Sequence, residues 1–281
     1  MAFIEFVKAT FLGIIEGITE WLPVSSTGHM ILFDELLRLK VTDDFKEMFL
    51  VVIQLGAILA VPILFWDRLW PFSKNKSQTE KRRIGSLWLK VIVGALPAAV
   101  IGVLLDDILD AYLYNYVTVS VALIVYGIAF ILVEKLKSKS GFRIDSVYDL
   151  TYADALKTGA FQVLSLIPGT SRSGSTILGA MLLGLSRTAG AEFSFFMAIP
   201  AMVGASGIKL LGFASWVSES GVAVPVDAWV VLGIGFFVSF AVSLAAIRFL
   251  MDFVKKHSFA PFGVYRIVLG ALVLLLWGLG V

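Results

Sequence analysis

The feature that most constrains this chain is a series of apolar runs, each about 20 residues long, because a helix of that length crosses the hydrocarbon core of a bilayer. Apolar residues make up 58% of the 281 residues and charged residues only 16%. An average soluble domain has about 25% charged residues. The sequence therefore predicts an all-α, polytopic membrane protein with six full transmembrane helices, at 48–66, 87–105, 113–133, 193–213, 228–250 and 262–279.

The connections between these spans differ in charge. Lysine and arginine crowd the loop at 67–85 and recur at Lys255 and Lys256, after the fifth span. The connections around Asp106 and Asp227 are acidic and contain no lysine or arginine. Because basic loops stay in the cytoplasm, we expect the basic connections inside and the acidic ones outside. The short basic stretch around Lys40 falls on the predicted outer side, against this majority.

Two further apolar segments, 2–39 and 151–186, are each interrupted by a polar break rich in glycine, proline and serine. Gly13 aligns with Gly159 at an offset of 146 residues, and the alignment runs without gaps to Leu32 and Leu178. Five of these 20 aligned positions are identical. The two segments are therefore interpreted as copies of one unit.

If each interrupted segment returns to the side it entered from, each half of the chain has one re-entrant helical hairpin and three full spans. Because three is odd, the second half starts on the opposite side of the membrane. This is an inverted-topology repeat, in which paired broken helices meet near the midplane and form a site. We expect a single membrane domain, with repeat 1 at about 1–135 and repeat 2 at about 150–281.

Two glutamates precede the first break. Glu16 and Glu20 are four residues apart, which places both carboxylates on one face of a helix. Such a pair can chelate a divalent cation through oxygen ligands, and ionisable groups at membrane depth are functional by default. Both are predicted as metal ligands, and Glu20 also as a catalytic residue.

The first break itself offers three hydroxyls, a glycine and one of the two histidines of the chain. Ser25 or Ser26 is a candidate nucleophile with His29 as its general base, and we favour Ser26. Alternatively the hydroxyls, with Ser25 and Thr27 among them, hold phosphate oxygens. Direct attack by water stays open, because spacing alone does not order the proton transfers.

The second break places Arg172 among hydroxyls and glycines, just ahead of an apolar helix. Backbone N–H groups at a helix N-terminus bind anions, and the planar guanidinium suits phosphate. At membrane depth this charge needs an anionic partner, either a glutamate of the first break or a substrate phosphate. The predicted phosphate-binding set is Gly169, Ser171, Arg172, Ser173, Gly174 and Thr176.

An acid pair, hydroxyls, a histidine and an arginine together indicate metal-assisted phosphoryl chemistry. Nucleotide hydrolysis is disfavoured because no Walker A motif is present. The absence of cysteine excludes thiolate chemistry. A net charge of +2 is too small to suggest nucleic-acid binding.

At these residues the chain resembles the bacterial undecaprenyl-pyrophosphate phosphatases of the bacitracin-resistance type. The resemblance rests on Glu-x-x-x-Glu at 16–20, Ser-Ser-Thr-Gly-His at 25–29 and Pro-Gly-Thr-Ser-Arg-Ser at 168–173, followed by Thr176. It implies removal of the terminal phosphate of a C55 isoprenyl pyrophosphate, with Mg²⁺ or Ca²⁺ required. It also implies catalytic or binding roles for Glu16, Glu20, Ser26, His29, Ser171, Arg172, Ser173 and Thr176.

The resemblance further implies a multi-pass protein of the bacterial inner (plasma) membrane, with its active site facing the periplasmic or extracellular side. The expected partners are the polyprenyl pyrophosphate substrate and membrane lipids, and not nucleic acid, and a homodimer is left open. One rival reading is a transporter or flippase, since inverted repeats also serve alternating access. A second lipid-phosphatase family has a histidine about six residues after its arginine motif. No histidine lies between Arg172 and Gly184 here, so that reading fails.

Overall fold

The computed structural model describes residues 2–279, except the side chains of Ala2, Ile31, Asp34, Glu35, Leu36, Asp106, Asp107, Asp110, Ser138 and Lys139. Across this range the chain is helical and contains no strand, only an isolated bridge between Ile144 and Leu185. The α-helices are α1 (Ala2–Thr19), α2 (Ser26–Leu36), α3 (Asp43–Ile58), α4 (Ala60–Leu64), α5 (Trp66–Leu69), α6 (Gln78–Leu113), α7 (Tyr116–Ser140), α8 (Tyr152–Val163), α9 (Arg172–Leu182), α10 (Arg187–Ser220), α11 (Val226–Lys256) and α12 (Ala260–Gly278).

Six helical stretches of the described range are long and apolar enough to cross a membrane. They are Asp43–Leu64, Gln78–Leu105, Tyr116–Lys137, Arg187–Ser220, Val226–Lys256 and Ala260–Gly278. Each coincides with one predicted span, so the all-α prediction and the six-span prediction are confirmed. Most of these helices are longer than the apolar spans predicted from the sequence. α6, for example, continues through Asp106, Asp107 and Asp110, which we expected in a loop and whose side chains lie outside the described residues.

The first interrupted segment consists of α1, a non-helical stretch at 20–25 and α2, so that the first break, at 20–29, includes the first turn of α2. The chain that follows α2 lies beside the start of α1. Lys8 Nζ donates to the carbonyl oxygen of Arg38 at 2.6 Å, and the Lys40 amide donates to Glu5 Oε2 at 2.9 Å. The segment therefore ends close to where it begins.

The second interrupted segment, α8 to α9, also ends close to where it begins. The chain ahead of α8 pairs with the chain after α9, because the Arg143 amide donates to the carbonyl oxygen of Gly184 at 2.7 Å. Arg143 Nη2 also reaches Asp154 Oδ1 in the first turn of α8 at 2.7 Å. Both interrupted segments thus have the same overall path.

Close backbone contacts hold the two segments in place. α1 packs on α11, α8 packs on α6, and α7 packs on α12. A Cβ on Gly13 would lie 2.7 Å from the Gly235 carbonyl oxygen, and a Cβ on Gly159 would lie 1.9 Å from that of Gly94. Only glycine allows backbones to approach this closely.

Both breaks pack against α7. A Cβ on Gly28 would meet Leu123 Cδ1 at 3.1 Å, and a Cβ on Gly169 would meet the Val119 carbonyl oxygen at 2.6 Å. Val119 and Leu123 are fully buried and form a small apolar cluster with Leu269 of α12. The α7–α12 pair is therefore the platform on which the two breaks meet.

Candidate active site

The two breaks share an uncommon backbone conformation. Ser25 has φ 74° and Ser171 has φ 70°, and they are the only non-glycine residues with positive φ in the described range. Each serine caps the helix that follows, since Ser25 Oγ accepts from the Gly28 amide at 3.2 Å and Ser171 Oγ accepts from the Gly174 amide at 3.1 Å. Strained backbone of this kind concentrates at functional sites. The predicted equivalence of the two breaks thus extends to their local geometry.

We expect the two substitutions of Ser171 to differ in their effect on stability. Ser171→Ala removes the cap and keeps the strain, whereas Ser171→Gly removes the cap and relieves a positive φ that costs about 1–2 kcal/mol for a non-glycine residue. Ser186 is the matched control, because it caps α10 through the Ala189 amide with an ordinary φ of −64°. Thermal unfolding in detergent should show a larger alanine–glycine difference at Ser171 than at Ser186. Equal differences would contradict the strain argument.

An ion pair joins the two breaks. Arg172, the first residue of α9, donates from Nε and Nη2 to Glu20 Oε1 at 3.1 and 3.0 Å. Its Nη1 donates to the Ser194 carbonyl oxygen of α10 at 2.9 Å. The guanidinium also lies over the ring of Trp21, 5.7 Å from the centroid. Of the anionic partners predicted for Arg172, the structure places Glu20 in contact with it.

The hydroxyls of the second break fasten it to its neighbours. Ser173 Oγ donates to the Glu20 carbonyl oxygen at 3.1 Å and lies 3.2 Å from Ser171 Oγ. Thr176 Oγ1 donates to the Arg172 carbonyl oxygen at 2.9 Å and lies 2.5 Å from Ser194 Oγ. Ser173 and Thr176 are fully buried. Ser173 therefore ties the second break to the first, whereas Thr176 ties α9 to α10.

The two predicted glycines are also engaged in the structure. The Gly174 amide is the hydrogen-bond donor to the Ser171 cap. Gly169, at φ 93°, is packed on Val119, and its carbonyl oxygen accepts from Arg266 Nη2 at 2.8 Å. Their backbone groups hold the break in shape.

His29 is buried and held at both ring nitrogens. Nδ1 lies 2.7 Å from the Ser25 carbonyl oxygen, and Nε2 lies 2.7 Å from Tyr265 Oη. Since a carbonyl oxygen only accepts, Nδ1 carries a proton, and in the neutral ring Nε2 accepts from the tyrosine. The imidazole thus braces the strained Ser25, and its Nε2 lone pair is directed at α12.

Glu16, Ser26 and Thr27 line a cavity of about 810 Å³. Glu16 is only 1% exposed, and its Oε1 accepts no hydrogen bond from the described residues. Ser26 and Thr27 are half-buried at the start of α2. The lining also includes charged and polar residues, namely Asp43, Lys46, Glu47, Gln54, Tyr114 and Lys209. The cavity is thus lined by residues of the first break and of α3, whereas Glu20, His29 and Arg172 are not among its lining residues.

Two carboxyl groups can contribute to a divalent-cation site when other ligands join them. Glu16 lies one helical turn before Glu20, and the unsatisfied Glu16 Oε1 is a buried acceptor that a cation would satisfy. Arg172 occupies only Oε1 of Glu20. Among the described residues no cluster of three or more His, Asp or Glu side chains forms a complete metal site. Mg²⁺ is commonly held by one or two carboxylates together with water and substrate phosphates.

Three contributors to this junction were not predicted from the sequence. Ser194 and Tyr265 lie in helices whose apolar pattern gives no indication of a polar partner. Arg266 did carry a signal, because it is the only charged residue in the predicted span at 262–279, and isolated charges in spans are rarely without a role. It is fully buried beneath both breaks.

The chain matches the family described as bacitracin resistance protein BacA over residues 9–272. A relative from Enterococcus faecalis named undecaprenyl-diphosphatase is 54% identical over 276 residues, which cover 98% of each chain. A protein of the same name from Acetivibrio thermocellus is 52% identical over 272 residues, 97% of each chain. Undecaprenyl-diphosphatase 1 of Clostridioides difficile is 51% identical over 271 residues, 96% of each chain. The region matched by the family contains both breaks, and this chain belongs to the bacitracin resistance protein BacA family.

Proposed function

We propose that this chain is an undecaprenyl-diphosphatase, a membrane hydrolase that removes the terminal phosphate of undecaprenyl (C55 isoprenyl) pyrophosphate. The observation that carries the proposal is the Glu20–Arg172 pair, which joins the two breaks one helical turn from Glu16, and Glu16 lines a cavity together with Ser26. The products are undecaprenyl phosphate and inorganic phosphate. The reaction returns the lipid carrier to peptidoglycan synthesis and gives resistance to bacitracin. The relatives that match almost the full length of the chain bear the name of this activity.

The site lies between two re-entrant hairpins of an inverted-topology repeat. Two observations support this architecture beyond the sequence alignment. Each interrupted segment ends beside its own start. Equivalent helices also pack in equivalent ways. α1 packs on α11, while α8, the counterpart of α1, packs on α6, the counterpart of α11. Such broken helices bring polar backbone to the bilayer midplane while it stays buried in protein.

The cavity opens on the outer side of the bacterial plasma membrane. Its polar rim includes Asp43 and Glu47 at the start of α3, the end of α3 opposite to the basic loop at 67–85. Because basic loops stay in the cytoplasm, this rim is extracellular or periplasmic. Undecaprenyl pyrophosphate then reaches the site from the outer leaflet with its tail in lipid.

Single cysteines test this sidedness cleanly, because the chain contains no cysteine of its own. Asp44→Cys, at an exposed position beside the rim, should react with a membrane-impermeant maleimide in intact spheroplasts. Asn75→Cys, at an exposed position of the basic loop, should react only after the membrane is permeabilised. The reverse pattern would place the cavity on the cytoplasmic side.

A divalent cation, Mg²⁺ or Ca²⁺, completes the site when substrate is bound. Glu16 and Glu20 would hold it, and it would supply charge neutralisation for the pyrophosphate. The junction contains two carboxyl groups, of Glu16 and Glu20, and two guanidinium groups, of Arg172 and Arg266. An incoming pyrophosphate adds negative charge, which the cation would offset.

Arg172 changes partners when substrate binds. In the structure it is held by Glu20 and by the Ser194 carbonyl oxygen. Its fork donates equally well to phosphate oxygens, so the pyrophosphate displaces the Glu20 carboxylate from the guanidinium. In this proposal Ser171, Ser173 and the start of α9 form the phosphate-binding set together with Ser25 and Thr27.

The attacking oxygen comes either from Ser26 or from water. Ser26 lines the cavity at the start of α2, within the space that the phosphate enters. If His29 serves as its base, Nε2 must first leave Tyr265. A radiolabelled phosphoserine trapped by acid quench, and lost in Ser26→Ala, would establish the covalent route. A Ser26→Ala protein that retains single-turnover hydrolysis would establish attack by water.

Phosphate release in detergent micelles tests the function as a whole. A transporter or flippase using the same site would break no phosphoric anhydride bond and would release no phosphate. We expect the purified protein to release inorganic phosphate from isoprenyl pyrophosphates and not from the corresponding monophosphates. Substrate transfer in vesicles without any phosphate release would support the transporter instead.

A further inference from the structure

Arg266 is the one arginine of α12, and it is completely buried. Burying a guanidinium costs several kcal/mol unless its donors are satisfied. No carboxylate of the described residues pairs with it. Its two terminal nitrogens donate to three backbone carbonyl oxygens, the ring centroid of Tyr126 is 5.5 Å away, and Nε has no hydrogen-bond partner among the described residues. Such a charge is retained in an apolar helix only where it does something that a neutral side chain does not.

The carbonyl groups that Arg266 contacts belong to both breaks. Nη1 donates to the Pro23 carbonyl oxygen at 3.1 Å, and Nη2 donates to the Gly169 carbonyl oxygen at 2.8 Å. Pro23 and Gly169 are 146 residues apart, the same offset that aligns the two breaks. Nη2 also reaches the Thr170 carbonyl oxygen at 2.9 Å. The guanidinium thus donates hydrogen bonds to equivalent carbonyl groups of the two repeats.

These contacts lie directly ahead of the strained serines. Pro23 is two residues before Ser25, and Gly169 is two residues before Ser171. Backbone carbonyl groups in a break are left without helical partners, and in a membrane interior each unsatisfied one is costly. A rigid fork with donors on separate nitrogens can satisfy both breaks at once, whereas a lysine ammonium is a single point.

We propose that Arg266 is a positioning residue that sets the distance and angle between the two breaks. It acts through Arg172, whose alignment with Glu20 and with the incoming phosphate depends on where the second break sits relative to the first. The inference rests on the proposed phosphatase function. Arg266 itself contacts neither substrate nor cation.

Arg266→Lys tests the idea because it keeps the charge and removes the fork. We expect kcat to fall about 30- to 100-fold, as for a small displacement of reacting groups, with little change in KM. Arg248→Lys on α11 is the matched control at an exposed position and should turn over at the wild-type rate. A kcat for Arg266→Lys within threefold of Arg248→Lys would overturn the proposal.

A double-mutant cycle separates positioning from a general structural role. If Arg266 acts through Arg172, the Arg172→Lys/Arg266→Lys protein should be hardly slower than Arg172→Lys alone. Effects that multiply would overturn the proposal.

If Arg266→Lys does not fold, Tyr126→Leu is the alternative test, because it removes the ring that the guanidinium lies over. We expect kcat to fall about fivefold or more at unchanged KM. A wild-type kcat would overturn the proposal. A wild-type protein that releases no phosphate would instead refute the phosphatase function itself.

Discussion

Arg172→Lys is expected to lower kcat for isoprenyl pyrophosphate by at least about 100-fold, and Arg172→Ala by about 1,000-fold or more, as for other arginines that stabilise phosphoryl transfer. The reason is geometric for lysine and electrostatic for alanine. Arg172 uses three nitrogens to contact Glu20 and Ser194, and lysine offers only one. Phosphate release by protein purified in detergent measures both variants.

Arg187 is the control for this experiment. It is also the first residue of a helix and forms a two-pronged pair with a buried glutamate, since Nε and Nη2 donate to the Glu134 carboxylate at 2.7–3.1 Å. This pair contains no residue of the two breaks. Arg187→Lys should therefore cost stability and leave the kcat of the folded protein close to wild type. Equal losses of kcat in the two lysine variants would show that Arg172 is a structural residue only.

Removal of divalent cations is expected to have the second large effect. With EDTA, phosphate release by the wild-type protein should fall at least about 100-fold, because a cation at such sites supplies several kcal/mol of charge stabilisation. Mg²⁺ or Ca²⁺ added in excess should restore it. Glu16→Gln should raise the half-saturating Mg²⁺ concentration about tenfold or more, since affinity follows the number of charged ligands.

Glu134→Gln serves as the comparison, because Glu134 is as buried as Glu20 and also pairs with an arginine. Its cation requirement should match that of the wild-type protein. The metal-binding role of Glu16 and Glu20 would be contradicted by full activity of the wild-type protein in EDTA. It would also be contradicted if Glu16→Gln and Glu134→Gln required the same Mg²⁺ concentration.

The all-helical architecture and the six spans could be predicted because their determinants are local. An apolar run of span length is visible in the sequence whatever surrounds it, and all six coincide with helices. The two breaks were visible because Ser25 and Ser171, with the glycine that follows each by three residues, recur at one offset. The structure adds that both serines have positive φ, which a sequence pattern with serine at that position would not suggest.

The pairing of the site residues could not be predicted in the same way. Three anionic partners for Arg172 were compatible with the sequence, and only the packing of α9 against the first break selects Glu20. His29 was expected to serve Ser26, yet α12 presents Tyr265 to its Nε2 from 236 residues away along the chain. Partners so distant in sequence are set by tertiary packing, so no local sequence pattern predicts them.

The most direct measurement of the central claim is the identity of the products formed from undecaprenyl pyrophosphate. The purified wild-type protein with Mg²⁺ should yield one inorganic phosphate for each lipid consumed, and mass spectrometry should find the lipid as undecaprenyl monophosphate. Intact pyrophosphate released together with undecaprenol, or no consumption of the lipid while it is moved across vesicle membranes, would contradict the account.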